Sequence, residues 1–349
     1  VNLNGNVYSA TVTTGTWTLD ISSADATALN TAETITADVS DVAGNPATQA
    51  TRGIIHDVTA PIIAINAVST DDIINAIEDD SPVAISGTTD AEDGQVVTVN
   101  LNGNVYSATV TTGAWTLDIS SVDATALNAA ETITADVSDL AGNPATQATR
   151  GIVHDVTAPT LTIDAVSTDD IINAVEDDSP VTISGTTDAE DGQVVTVNLN
   201  GNVYSATVTT GTWTLDISSA DATALNAAET ITADVSDLAG NPATQATRGI
   251  IHDVTAPTIS INAVSTDDII NAVEDDSPVT ISGTTDAEDD QVVTVNLNGN
   301  VYSATVTTGT WTLDISSVDA TALNAAETIT ADVSDVAGNP ATQATRGII

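Results

Sequence analysis

The string "VNLNGNVYSATVTTG" begins at Val1, Val99, Val197 and Val295, so the chain repeats itself every 98 residues with few substitutions. A solenoid unit of roughly 20–50 residues buries its apolar face only by stacking on neighbours, whereas a period of this length matches one small domain with its own core. Proline marks the register: Pro61, Pro159 and Pro257 lie in "DVTAPI" and two copies of "DVTAPT", where extended backbone separates two strand-like runs. Boundaries placed there give complete or nearly complete units at 58–155, 156–253 and 254–349. Residues 1–57 read as the C-terminal half of a truncated unit, and the natural chain is expected to continue beyond both ends.

Within 58–155, short alternating runs are separated by turn signals and no long helical period appears, which is the pattern of an all-β sandwich. After a strand over 62–67, "PVAISGTT" turns Val83 and Ile85 inward, and "QVVTVNLN" does the same with Val97, Val99 and Leu101. Asn102-Gly103 predicts a type I′ hairpin into a strand whose inner face is Tyr106, Ala108 and Val110. Trp115, Leu117 and Ile119 mark the next strand. "SSVDATALNAAE" then crosses over, with room for one helical turn, to a strand carrying Ile133, Ala135 and Val137 inside. "DLAGNP" turns the chain into a last strand that ends near Asp155. Apolar residues make up 41% of the sequence, enough to bury real cores. Seven strands in about 100 residues, with one Trp and no Cys, define an immunoglobulin-like sandwich without the antibody disulfide. The fold class is therefore all-β: tandem immunoglobulin-like β-sandwich domains in a linear array.

The charge is one-sided. Against 49 acids stand four Arg and no Lys, a formal charge of −45. That sign excludes nucleic acid and anionic membrane surfaces as partners, because both demand cations from the protein. No apolar run approaches the length of a membrane span, so no direct insertion is expected from this segment. From Ser167 to Gln193, eight carboxylates occur with no Lys, Arg or His, and the obvious counter-charge is an external cation. Strand order places the 71–80 segment, with Asn75 and Asp79 among its acids, and the terminal Asp155 at one pole, facing Asp188, Glu190 and Asp191 and the turn at Asp237 and Asn241 at the opposite pole of the next unit. Successive units thus present two anionic poles to each other. Carboxylates about 4 Å apart repel by roughly 1 kcal/mol in water and about 4 kcal/mol at an effective dielectric near 20.

Calcium suits such a junction, taking six to eight oxygen ligands in flexible geometry. Zinc is disfavoured by the lack of Cys and by at most one His per repeat. The candidate ligands fall in register. Asp57, Asp155 and Asp253 end the units. The first acidic segment supplies Asp71, Asp72, Glu78 and Asp80, then Asp169, Asp170, Glu176 and Asp178, then Asp267, Asp268, Glu274 and Asp276. The second supplies Asp90, Glu92 and Asp93, then Asp188, Glu190 and Asp191, then Asp286, Glu288 and Asp289. "DAEDGQ" lacks the alternating acids and the later bidentate Glu of an EF-hand, and Asp290 replaces its Gly in the last repeat. The competing reading is that Asp and Asn are ordinary turn formers and an acidic surface keeps a long array soluble. Asp139 and Asn143 are expected to shape their turn through backbone hydrogen bonds.

His154-Asp155 recurs once per repeat with no nucleophile motif beside it, so it is read as structural. Arg52, Arg150, Arg248 and Arg346, one per copy, are expected to pair with neighbouring acids. Trp115 and Tyr106 sit in phase with the aliphatic face and belong to the core. Alternate Thr in "ATVTTGTWT" is ordinary chemistry for a solvent-facing strand, and ice binding is not assigned to it. No catalytic constellation or phosphate loop is present, and no enzyme is expected.

Three motifs, "DLAGNP" (Asp139–Pro144), "DVTAPT" (Asp155–Thr160) and "DDIINAVE" (Asp169–Glu176), resemble the bacterial Ig-like tandem extender repeats of giant RTX-type, type I secreted adhesins of Gram-negative bacteria. The likeness spans the whole chain. It implies a stalk on the extracellular face of the bacterial cell, stiffened by Ca²⁺ at domain junctions. Its partners would be calcium and neighbouring repeats of the same chain, with the adhesive target bound by domains outside this segment. The alternatives are a self-assembling extracellular filament or surface-layer repeat, and a glycan- or protein-binding Ig-like module.

Overall fold

The computed structural model describes residues 1–349. They form two compact units, Val1–Val156 and Thr157–Ile349.

In the first unit, residues 58–155 build two facing sheets. One has three strands in the order Ala114–Ile119, Val83–Thr89, Ile63–Ile65; the other has five, in the order Ile73–Ile74, Ala148–His154, Ala130–Asp136, Val96–Leu101, Asn104–Thr109. Strand alternation does what period-2 patterning requires: Val83, Ile85, Val97, Val99, Leu101, Ala108, Val110, Trp115, Ile119, Ile133, Ala135 and Val137 are buried, with Tyr106 and Leu117 packed at the margin. The hairpin at Asn102-Gly103 has positive φ at both residues, 48° and 76°, as a type I′ turn demands. Ser120 caps the short helix Ser121–Thr125, its hydroxyl accepting from the Asp123 N–H at 3.2 Å. Trp115 lies flat against Gly87, where an added Cβ would sit 2.4 Å from the indole and 2.0 Å from the Ala64 carbonyl oxygen. Only glycine leaves room for both.

One segment departs from expectation. Residues 71–80 are not a free loop, because Ile73–Ile74 joins the five-stranded sheet in parallel with the last strand, Ile74 opposite His154. The turn that makes this possible holds Ser69, Thr70 and Asp72 at positive φ. Two residues are too few to show a period, and a parallel partner far along the chain leaves no local mark.

The second unit holds two more such sandwiches, with separate buried cores at Ile163–Ile250 and Ile261–Ile348, the last of them without the short parallel strand, so that its second sheet has four strands. In its first repeat, the opening strand is reduced to a single bridge, Leu161 to Thr187. Residues 1–57 form one sheet only, ordered Asn6–Val7, Asn2–Leu3, Ala32–Ala37, Ala50–Ile55.

Candidate functional site

The acidic segments are held in shape by local hydrogen bonds. Asp170, at φ 67°, accepts the Val166 N–H at 3.0 Å and the Arg248 Nε and Nη2 at 2.6 Å each, while Arg248 Nη1 donates to the Ile163 carbonyl. The arginine holds the Asp170 carboxyl below the usual carboxylate range. Asp72 with Arg150 and Asp268 with Arg346 repeat the arrangement, and the arginine effect. Every arginine of a complete repeat is thus paired with one of the predicted metal ligands, through a bidentate, charge-assisted contact.

Most of the remaining candidates hold backbone N–H groups. Asp71, Asp169 and Asp267 each cap the residue two ahead. Glu78, Glu176 and Glu274 accept from the N–H of Asn75, Asn173 and Asn271. Asp90, Asp188 and Asp286 tie down the start of their repeat by accepting from Ile62, Thr160 and Thr258. That backbone bond lowers the carboxyls of Asp188 and Asp286. Glu92, Glu190 and Glu288 accept from Leu140, Leu238 and Val336 at 2.8 to 3.0 Å, tying one turn to the next. Asp57 and Asp253 bond the N–H of Thr59 and Thr255, and the Asp155 N–H donates to the Ile74 carbonyl. Asp289 accepts from Thr308, whereas Asp80, Asp93, Asp178, Asp191 and Asp276 stand in solvent.

Donor chemistry and convergence therefore give different answers about calcium. The groups are all oxygen donors, which suits a hard cation. No three Asp, Glu or His groups converge closely enough to hold an ion, so the acids form no ready-made cage.

Two features sharpen the expectations from sequence. His252, buried, sets Nε2 3.0 Å from the Asp177 carboxylate and Nδ1 3.0 Å from the Leu225 carbonyl; His154, Asp79 and Leu127 do the same. The histidine's partner is this Asp and not the Asp that follows it in sequence. The only available signal was that both residues recur at the same period.

The second feature lies where residues 156–253 meet 254–349, inside the second unit. The turn Asp335–Asn339 is closed by its own side chains, Asp335 accepting from the Asn339 N–H at 2.7 Å and from Asn339 Nδ2 at 3.0 Å. Across the junction, Asn173 Nδ2 donates to the Ala337 carbonyl, the Ala174 N–H donates to Asn339 Oδ1, and Asn339 Nδ2 donates to the Asp253 carbonyl, all at 2.9 Å. The segments that meet are the expected ones, but the groups that touch are amides. In the first unit, Asn143 Nδ2 donates likewise to the Asp57 carbonyl at 3.2 Å.

No protein-family model and no curated protein matches the chain significantly. Solved structures do. A 1.5-MDa bacterial ice-binding adhesin is 29% identical over 82% of this chain and 96% of that one, with a TM-score of 0.44. A Ca²⁺-stabilized adhesin that helps an Antarctic bacterium reach out and bind ice is 35% identical over 98% and 88%, with a TM-score of 0.43. A bacterial immunoglobulin-like domain from the M. primoryensis ice-binding adhesin is 36% identical over 29% of this chain and all of its own, with a TM-score of 0.24. Kinship rests on the identity and coverage of the last two, not on whole-chain superposition. The chain belongs to the tandem immunoglobulin-like repeats of bacterial adhesins.

Proposed function

We propose that this chain is a stretch of stalk from a large bacterial surface adhesin, working outside the cell as a spacer and not as an enzyme. The observation that supports it best is redundancy: each complete repeat has its own core and its own bidentate Arg–Asp pair. A spacer needs length and repetition, whereas an adhesive surface needs one site of particular shape. Adhesion then belongs to domains outside the segment.

Calcium enters this proposal through the adhesin that is Ca²⁺-stabilized. In this reading the ion would draw its oxygens from Asp169, Glu176, Asp178 and Asp253 on one side and Asp286, Glu288 and Asp289 on the other, with counterparts in each repeat. An ion bound there would offset the mutual repulsion of the two poles.

Titrating Ca²⁺ into the chelator-stripped chain should reveal binding in the range of extracellular calcium modules, about 10⁻⁴ to 10⁻³ M. Binding that favours the folded state raises the melting temperature. Glu176→Gln combined with Asp286→Asn should weaken binding and leave the sandwiches folded. Identical calorimetric traces in calcium and in chelator would remove calcium from the proposal, and specific capture of a glycan by this chain would replace the spacer with a binding module.

A further inference from the structure

We propose that the asparagine of the "AGNP" turn is an interrepeat clasp, which fixes one repeat on the next through neutral amide hydrogen bonds without any metal. The carboxamide of Asn339 is filled on every side: one Nδ2 hydrogen goes to Asp335, the other to the Asp253 carbonyl, and Oδ1 accepts from the Ala174 N–H. Asn339 is 1% exposed, so each of these bonds replaces water that cannot return. Asp335 orients the amide in advance, holding both the side chain and the backbone N–H of Asn339 before a neighbour arrives. From the opposite side Asn173 answers: its Oδ1 accepts the N–H groups of Val175 and Glu176, which leaves Nδ2 aimed at the Ala337 carbonyl. Gly338, at φ 90°, lets the two backbones close, since a Cβ there would come within 3.3 Å of Asn173 Nδ2.

The chemistry names the partner surface. An Asn-Ala step beside a free carbonyl is complementary to an Asp-closed Gly-Asn turn, so the surface takes another copy of this repeat. The contacts carry no net charge, and they sit among acids that would repel a closer ionic approach. Such a clasp fixes register in low calcium and in high salt alike, where exposed ion pairs lose strength. It works independently of the proposed calcium, which would act on the surrounding carboxylates.

The chain has no cysteine, so two can be placed at will. Ser205→Cys and Ser303→Cys, equivalent exposed positions in adjoining repeats, carry spin labels on the full chain for pulsed dipolar distance measurement. A single narrow distance in excess chelator, unchanged at high salt, is the expected result. Asn173→Asp keeps the Oδ1 cap of its own loop but turns an oxygen toward the Ala337 carbonyl, and should abolish the narrow peak. Asn339→Ala tests the other half of the clasp, should either variant lose its fold. Asn271→Asp, the same change in the last repeat, should leave the distance intact. A distribution that is broad in chelator and narrows only with calcium would overturn the clasp and favour the calcium reading; an Asn173→Asp peak as narrow as the parent's would also overturn it. Narrow distances in chelator that vanish in both variants would establish the clasp whatever calcium does.

Discussion

Residues 1–55 and 295–349 are nearly the same peptide, differing only at Ala24 against Val318 and Thr31 against Ala325, yet they fold differently. In the later copy, Thr310–Ile315 is a strand paired with Val279–Thr285, and Trp311 is 1% exposed. The earlier copy of that run forms no continuous strand, and Trp17 is 45% exposed above an open hollow lined by Leu3, Ile35 and Ile54. The sequence that makes the strand is present in both. What differs is the partner, supplied by the first half of a repeat. By contrast, the Asn4-Gly5 hairpin and the helix Ser23–Thr27 form in the earlier copy as they do in the later. Features held by neighbours along the chain survive without the second sheet, and features held across the sandwich do not.

That division is broken most severely at the tryptophan. Trp311→Ala should remove about 3–5 kcal/mol from its repeat, the usual cost of emptying an aromatic site in a packed core. Trp17→Ala should change the thermal unfolding of the chain little, because its ring already meets solvent. Equal losses in differential scanning calorimetry would mean that the first 57 residues share a core after all.

A smaller contrast belongs to arginine. Arg346 grips Asp268 and the Ile261 carbonyl, whereas Arg52 has no salt bridge. Arg346→Met should lower the melting temperature of the last repeat and speed amide exchange at Val264, which Asp268 also holds; Arg52→Met should do neither. The pH dependence carries the same signature. The Asp268 carboxyl is held below its ordinary 3.8, chiefly by the Arg346 hydrogen bonds, so the stabilisation is complete above that pH and is lost as pH falls beneath it. The acid limb of a stability–pH curve should therefore be shallower in Arg346→Met. A parallel limb would deny the pair its part in acid unfolding.

The same division explains what the sequence disclosed. Alternation in "QVVTVNLN" and the Asn-Gly turn are local, and the buried faces followed from them directly. Arg248 meets Asp170 across 78 residues and His252 meets Asp177 across 75, pairings for which one sequence offers only candidates on both sides. The carboxylates were legible as charge but not as geometry: most proved to be caps on loop N–H groups, a role that composition cannot tell from metal ligation. Asn173 reaches Ala337 across 164 residues; strand order set this asparagine opposite the next repeat's turn, but the atoms that meet are not written in one sequence. Charge density marked the right poles, yet the contact between repeats was made by the uncharged residues among them.

The finest test of local against long-range control is the helix cap. Ser316 accepts the Asp319 N–H at 3.1 Å, and Ser22 accepts the Asp25 N–H at the same distance, although only the later helix buries a residue, Ala320. A cap acts on the first turn's free N–H groups, and Ser→Ala costs about 1 kcal/mol wherever that turn is formed. In the complete repeat, Ser316→Ala should appear as that loss in calorimetry. In the half repeat, with no cooperative core to register it, Ser22→Ala should appear only as faster exchange at the Asp25 amide, by a factor of about five if the same free energy is lost. Should the Asp25 amide exchange freely in the parent chain, this helix too depends on the missing sheet, and the boundary between local and long-range structure moves down to a single turn.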